Sequence, residues 1–305
     1  MKCMTKIDTL YSRKLGRLSF LKNVLMWPLR LLLHKQSDKH IAENRRQLVV
    51  FSFDHIAHTV NLDGVYEKDD LDTFFAWLRS LNIDTNSSMA IDIGANIGNH
   101  SLYFSDYFRK VYSFEPNPRT FKVLLINAEL TNNIECFNYG LSDEAKTATL
   151  SINKFNIGGA TISETSEGIL QTIELKTLDS KKDIDNVMLI KIDVEGHEYN
   201  AINGARNVIQ RDNPIIIFEQ HISDFKNGES PVLILLNELG YKSFATIRKY
   251  PRVEGGLTKK MIFVPTFRLI LGESIEIKIE DHIMPGYYPF IVALPEWFPL
   301  KAKVV

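Results

Sequence analysis

Five apolar runs in this chain end in polar side chains that can do chemistry. Met89–Ile93 carries Asp92 into the turn Gly94, Ala95, Asn96, Ile97, Gly98, and Val111–Phe114 ends at Glu115. The segment from Ile134 ends in Ser142 and Asp143, the run Val187–Ile192 in Asp193 and Glu195, and Pro214–Phe218 in Glu219 with His221 two residues on. Ionised carboxylates accept hydrogen bonds from hydroxyls, counter a cationic ligand, or take a proton as a base. Each one alone is as well explained as a solvated strand end or a helix cap. Together they fall on one rim, because ligands of an open parallel sheet bind at the C-terminal ends of its strands, where strand order reverses.

The elements that would position them alternate from Met89 onward. Helical patterns at 99–108 and 119–130 follow the first two strands, and strands are expected at 147–152 and through QTIELKTL. GHEYNAINGA opens a helix after the run at 187–192, and Pro231–Leu239 forms another that Gly240 closes. Near-continuous apolar strands between helices predict an α/β fold with a mostly parallel sheet covered on both faces. Before it, Leu48–Phe53 reads as a strand, Ala57–Leu62 as a second extended piece, and Tyr66–Leu81 as a helix with Leu71, Phe74, Phe75 and Leu78 on one face. The expected organisation is a lead-in over 1–85, a central domain over 86–265 and an extension over 266–305. That extension holds a strand at Ser274–Ile279 and then the aromatics Tyr287, Tyr288, Phe290, Trp297 and Phe298, which suit a lid, a subunit contact or an edge cover equally.

The chain has 305 residues, 45% hydrophobic and 24% charged, with a formal net charge of −1 from 36 basic and 37 acidic residues. That balance gives no reason to expect nucleic-acid binding. Cys3 and Cys136 offer neither a disulfide framework nor a cysteine-rich zinc motif, so a reducing cytoplasm is the simplest compartment. Residues 15–33 are rich in Leu, Val, Phe and Trp, but Arg17, Lys22 and Arg30 interrupt them. A membrane span needs about 20 mostly uncharged apolar residues, and the stretch lacks the pattern of a secretory signal. Two readings remain: peripheral contact with an anionic membrane, or packing on the chain's own domain or on a second copy in a homo-oligomer. Pro28 breaks the helical pattern and favours the second.

Glu115 lies about twenty residues beyond Gly94, the interval at which a carboxylate after the second strand can accept from both hydroxyls of an adenosine ribose. The first turn is G-A-N-I-G and not G-x-G-x-x-G, which makes a pyrophosphate harder to seat. S-adenosylmethionine carries a carboxylate, an ammonium and a sulfonium but no phosphate, and an acidic rim suits it better than a dinucleotide. An NAD(P)-dependent oxidoreductase is the disfavoured alternative. A non-catalytic interaction module is a third reading, and the intact turn speaks against it.

The set IDIGANIGNHSLYF, VYSFEPNP, NYGLSDE, LIKIDVEGHE and IIIFEQH resembles the FkbM-type methyltransferase family, over about Val50 to Val264. The resemblance implies a class I, Rossmann-like methyltransferase fold with a seven-stranded sheet ending in an antiparallel hairpin, for which Tyr241–Ile247 and Met261–Val264 are the candidates. It implies S-adenosylmethionine-dependent O-methylation, of a sugar in a glycan or glycosylated metabolite or of a polyketide-type hydroxyl, as in polysaccharide biosynthesis. Carried over by position, Asp92, Gly94, Ala95, Asn96 and Gly98 would hold the methionine part. Glu115 would hold the ribose with Asn117 beside it, Ser142 and Asp143 would touch the adenine, and Asp193 would lie below the reactive methyl.

Methyl transfer needs an oxygen nucleophile about 3 Å from the methyl carbon, in line with the sulfur. An aliphatic hydroxyl also needs a positioned base. The candidates are Glu195, His197, Glu198, Glu219 and His221, with Glu195 and His221 first and His197 next. Glu198 reads as a helix-start carboxylate. Asp193, Glu195, Glu219 and His221 could alternatively ligate a divalent metal, although no tight ligand motif is present. The loop Phe155–Glu164 either borders the substrate or is a plain hairpin connection.

Overall fold

The computed structural model describes residues 17–152, 161–162, 169–251, 273–280 and 282–300. The chain divides into two compact units, Met1–Arg46 and Gln47–Val305. In the first, the helix α1 (Arg17–Ala42) runs unbroken through Pro28. Proline removes one intrahelical N–H bond and kinks or strains a helix; here that local cost does not end it. Among the described residues no helix is long and apolar enough to cross a membrane.

The second unit opens with α2 (His55–Asp63) and α3 (Lys68–Ser80), followed by β1 (Met89–Ile93), α4 (Asn99–Phe104), β2 (Lys110–Phe114), α5 (Pro118–Ala128) and β3 (Ile134–Phe137). Four strands come next: β4 (Gly140–Leu141), β5 (Lys146–Ile152), β6 (Thr161–Ile162) and β7 (Ile169–Lys176). Then come β8 (Val187–Ile192), α6 (Glu198–Asn203), α7 (Arg206–Asp212), β9 (Ile215–Gln220), α8 (Pro231–Glu238), β10 (Ser243–Pro251), β11 (Glu273–Glu280) and β12 (Tyr288–Leu294).

The main sheet has eight strands in the order β11-β10-β12-β9-β8-β1-β2-β3, one more than the expected seven. β3, β2, β1, β8 and β9 run parallel, and all five residues of β1 are buried, as the continuous apolar run requires. The order reverses between β1 and β8, so their C-terminal ends open the crevice of the fold. Met89, Ile91, Tyr112, Phe114, Ile190 and Ile216 pack into one core layer, and Ala90, Val111, Leu189 and Ile217 into the other. The second layer meets Leu71, Phe74, Phe75 and Leu78 of α3, the face read from the sequence.

The late strands differ from expectation. β10 pairs antiparallel with β12 and β11, and β12 is inserted between β10 and β9. Within the stretch read as an extension, Glu273–Glu280 and Tyr288–Leu294 therefore supply two strands of the main sheet. The expected hairpin partner Met261–Val264 lies outside the described residues. Pro289 disguises β12 as a non-strand, since proline removes a ladder donor. It falls where the β12–β9 register shifts, between Tyr288 and Ile291, so no regular ladder pair depends on it.

Two lead-in readings also change. Leu48–Phe53 forms no sheet strand: the carboxamide of Asn127 satisfies Val49 instead, accepting from its N–H at 2.7 Å and donating to its carbonyl at 2.9 Å. The piece at 57–62 is helical because Asp54 caps it, accepting from the Ile56 N–H at 3.1 Å, and Gly64 closes it at φ 81°. β4, β7, β5 and β6 form a second, four-stranded sheet, which sets Leu141, Leu150 and Leu175 beside the crevice.

Candidate active site

The crevice is a cleft of about 690 Å³, counting the part open to solvent. It is lined by Gly94 and Asn96 of the first turn, by Glu115, Pro116, Asn117 and Thr120 after β2, by Leu141, Leu150 and Leu175 of the second sheet, and by Asp193, Val194, Glu195 and His197 after β8.

The turn is shaped by the fold before any ligand. The N–H groups of Gly94 and Ala95 both donate to the Phe114 carbonyl, at 3.0 Å each. Gly94 has φ 76°, and a Cβ there would stand 1.9 Å from the Asp193 carbonyl oxygen, so glycine is required by the approach of β1 to β8. Gly98 has φ 88°, and a Cβ there would meet Leu124. Asn96 between them is not a glycine yet takes φ 50°.

Glu115 ties the turn to the next element. Its carboxylate accepts from the Asn96 N–H at 3.0 Å and from the Asn117 N–H at 2.8 Å. Burial pushes its carboxyl up to about 7, against the pull of those two N–H groups and of Lys191. Asn117 caps α5 by accepting from the Arg119 N–H at 3.0 Å. Its side-chain N–H₂, the Thr120 hydroxyl and the Asn96 side-chain oxygen are buried without a hydrogen-bond partner. Donors and acceptors left open beside an accepting carboxylate suit a hydroxyl-rich ligand, because unpaired buried polar groups are costly.

Asp92 sits deeper, with no exposed surface. It accepts from the Ser101 hydroxyl at 2.6 Å and lies 3.5 Å from the Lys191 ammonium, which is itself 3.1 Å from Asp193. Burial would lower Lys191, but the two carboxylates hold it above its ordinary value. Burial would likewise raise Asp193, which the Lys191 charge keeps below its ordinary range. Lys191 was missed in the sequence reading, although it is the one charge inside the apolar run VMLIKI and so had to find a buried partner.

His197 faces the second sheet. The Ser142 hydroxyl donates to Asp143 at 2.9 Å, and His197 Nε2 stands 3.0 Å from the same hydroxyl oxygen. With the serine proton committed to Asp143, Nε2 must be the donor in that contact. Burial lowers the His197 value, with Asp143 opposing. Glu198 behaves as a helix-start residue, accepting from the Gly196 N–H at 3.1 Å and the Val194 N–H at 3.4 Å. Glu195 is exposed, at φ 47°.

On the other side of Asp193 a second group gathers. His221 Nε2 is 3.3 Å from Glu219, and its ring lies 5.1 Å from that of Tyr287, whose hydroxyl also bonds Glu219. Glu219 is pushed up to about 7 by burial and by the Asp193 charge. His100 Nε2 is 3.0 Å from Glu67, a non-glycine residue at φ 56°, and the His100 ring lies 6.4 Å from that of Tyr66. His100 and His221 both lie near enough to Asp193 to act on its carboxylate. Tyr66, Glu67, His100 and Tyr287 were not read from the sequence, and no local pattern marks them. The residues weighed as metal ligands do not converge: Asp193 is engaged by Lys191, and Glu219 by His221 and Tyr287. Among the described residues no three His, Cys, Asp or Glu side chains are placed to hold a metal ion.

Comparison with known proteins gives this arrangement a family. Residues 92–243 match the methyltransferase FkbM domain, and the chain belongs to that family. It is 30% identical over 128 residues to the hexuronic acid methyltransferase AglP of Haloferax volcanii, a match covering 41% of this chain and 53% of the relative. The chain thus spans about half the length of that curated relative. Among solved structures it is similar to the methyltransferase FkbM of Methylobacillus flagellatus, at 24% identity and a TM-score of 0.34 over 44% of this chain and 33% of the other. It is also similar to the magnesium protoporphyrin IX methyltransferase of Synechocystis, at 12% identity and 0.38 over 70% and 85%.

Proposed function

We propose that the protein is an S-adenosylmethionine-dependent O-methyltransferase acting on a sugar hydroxyl of a glycan or glycosylated metabolite. The observation that carries this reading is Glu115. It is a buried carboxylate at the end of the second parallel strand, fixed by two backbone N–H groups and facing a cleft where Asn117 and Thr120 leave polar atoms open. In this reading Glu115, with Asn117 and Thr120, binds the ribose hydroxyls. Ala95, Asn96 and Gly98 with Asp92 behind them border the methionine part, Ser142 and Asp143 border the adenine, and Asp193 lies under the reacting centre. When bound, the cofactor supplies an electrophilic methyl group.

The remaining work falls to side chains beyond Asp193. Glu219 is the base this geometry favours: its carboxylate is half-buried, raised toward neutrality, and oriented by His221 and Tyr287. It takes the proton of the acceptor hydroxyl as the new bond forms. His221 positions it, and His197, with Nε2 donating toward Ser142, belongs to the adenine side. Glu67, Asp193, Glu195 and Glu219 make this side a poor host for a second anion, so a neutral sugar is the expected acceptor, in contrast to the hexuronic acid of the relative.

Titration calorimetry with S-adenosylmethionine tests the reading. Saturable binding is expected, with none for nicotinamide dinucleotides; tight binding of a dinucleotide in its place would overturn it.

A further inference from the structure

α1 is the one element of its unit among the described residues, and none of those residues covers it. Its first half is nonetheless strongly apolar. Phe20 is 74% exposed, Leu25 69%, and Trp27 and Leu32 64% each. On a helix of 3.6 residues per turn, Ser19, Asn23, Arg30 and His34 share one narrow side. Leucine, valine, phenylalanine and tryptophan fill most of the remainder, interrupted by Lys22. Apolar surface this extensive marks an interaction site.

Charge identifies the partner. The first 46 residues hold 11 basic and 3 acidic side chains, and the rest of the chain holds 25 and 34. The near-neutral total therefore conceals a unit at +8 joined to one at −9. A second copy of the helix would bring like charge against it, and a nucleic acid would leave the apolar arc in water. The apolar run at 18–33 is also no membrane span: Lys22 and Arg30 interrupt it, and its sixteen residues at about 1.5 Å each fall short of a core about 30 Å thick.

We propose that α1 docks the protein on an anionic lipid surface. It lies in the plane of the interface, with Phe20, Leu25, Trp27 and Leu32 among the acyl chains and its basic residues at the headgroups. The inference stands apart from the reading of the catalytic cleft.

Sedimentation of the full chain with vesicles tests it. The protein is expected to pellet with vesicles of equal parts phosphatidylglycerol and phosphatidylcholine, to remain in solution with phosphatidylcholine alone, and to be released by salt. The charge-reversed K22E/R30E variant should lose more than about tenfold in partitioning, since each basic residue near such a surface is worth about fivefold. L25E/L32E should lose it as well, both variants keeping the wild-type thermal melt. Failure of the wild type to pellet, or equal binding to both vesicles, would overturn the proposal. So would a dimer in sedimentation equilibrium that L25E/L32E dissociates while vesicle binding is unchanged.

Discussion

On one side of Asp193 the groups around Glu115 and the first turn are fixed by backbone: Glu115 accepts two main-chain N–H groups, and the Gly94 N–H donates to the Phe114 carbonyl. Beyond Asp193, Tyr66, Glu67, His100, Glu219, His221 and Tyr287 arrive from separated segments and are brought together mainly by side-chain contacts. Backbone fixation holds a common ligand in one geometry. A wall of side chains on independent elements can change one residue at a time, which is what discrimination among acceptors needs. The two sides should therefore fail separately.

The largest effect is expected at Glu115. Glu115→Ala removes the acceptor for two ribose hydroxyls, each bond to a charged group being worth about 1.5–3 kcal/mol. Calorimetry should find S-adenosylmethionine affinity reduced by at least about a hundredfold. Binding within a few-fold of wild type would remove the ribose from this side.

Glu219→Gln tests the other side. Loss of a general base is expected to lower kcat by about 10²–10⁴ with cofactor affinity unchanged. Burial and the Asp193 charge favour the protonated acid below about 7, so the base is ionised above it. The wild-type kcat should rise as pH climbs through that value, and the Gln variant should lose the rise. Weaker cofactor binding at constant kcat would merge the two sides into one.

Between them stands the Asp92–Lys191–Asp193 chain. Lys191→Met leaves Asp92 buried with the Ser101 hydroxyl donating to it but no counter-charge from Lys191, and breaking a buried pair in this way costs about 3–5 kcal/mol. Thermal unfolding should register it. A melting temperature close to wild type would mean that the lysine serves the ligand and not the fold.

The same division explains what the sequence disclosed. Glu115, Asp193 and Glu219 were legible as a common rim because each stands at the end of an apolar strand of the parallel sheet, and strand ends there share a side. Ser142 and Asp143 instead follow β4 of the second sheet, and Asp92 is buried within β1. The helix over Lys68–Ser80 was legible from the spacing of Leu71, Phe74, Phe75 and Leu78. β12 was not, because Pro289 contradicts the local preference and only the slot between β9 and β10 overrides it. Nor was the Asn127 clamp on Val49, a pairing of side chain with backbone across 78 positions that leaves no periodic trace. Glu67 and Tyr287 belong to the same class: nothing in the local sequence separates them from any other polar residue. Lys191 differs, since a lone charge in an apolar strand does announce a buried partner.

The smallest effect is expected at His197, the residue on which the boundary between the sides turns. It lines the cleft and follows the D-V-E-G turn, so position alone suits a base. Its bonding argues otherwise. Ser142 gives its proton to Asp143, Nε2 donates to Ser142, and burial keeps the ring neutral, so the nitrogen held by this network has no free lone pair with which to accept a proton. His197→Ala removes one neutral hydrogen bond, worth about 1 kcal/mol. Cofactor affinity should fall about fivefold, with kcat and its pH profile unchanged. A loss in kcat of a hundredfold or more, approximately that of removing a general base, would move His197 across the cleft and return the base to the adenine side.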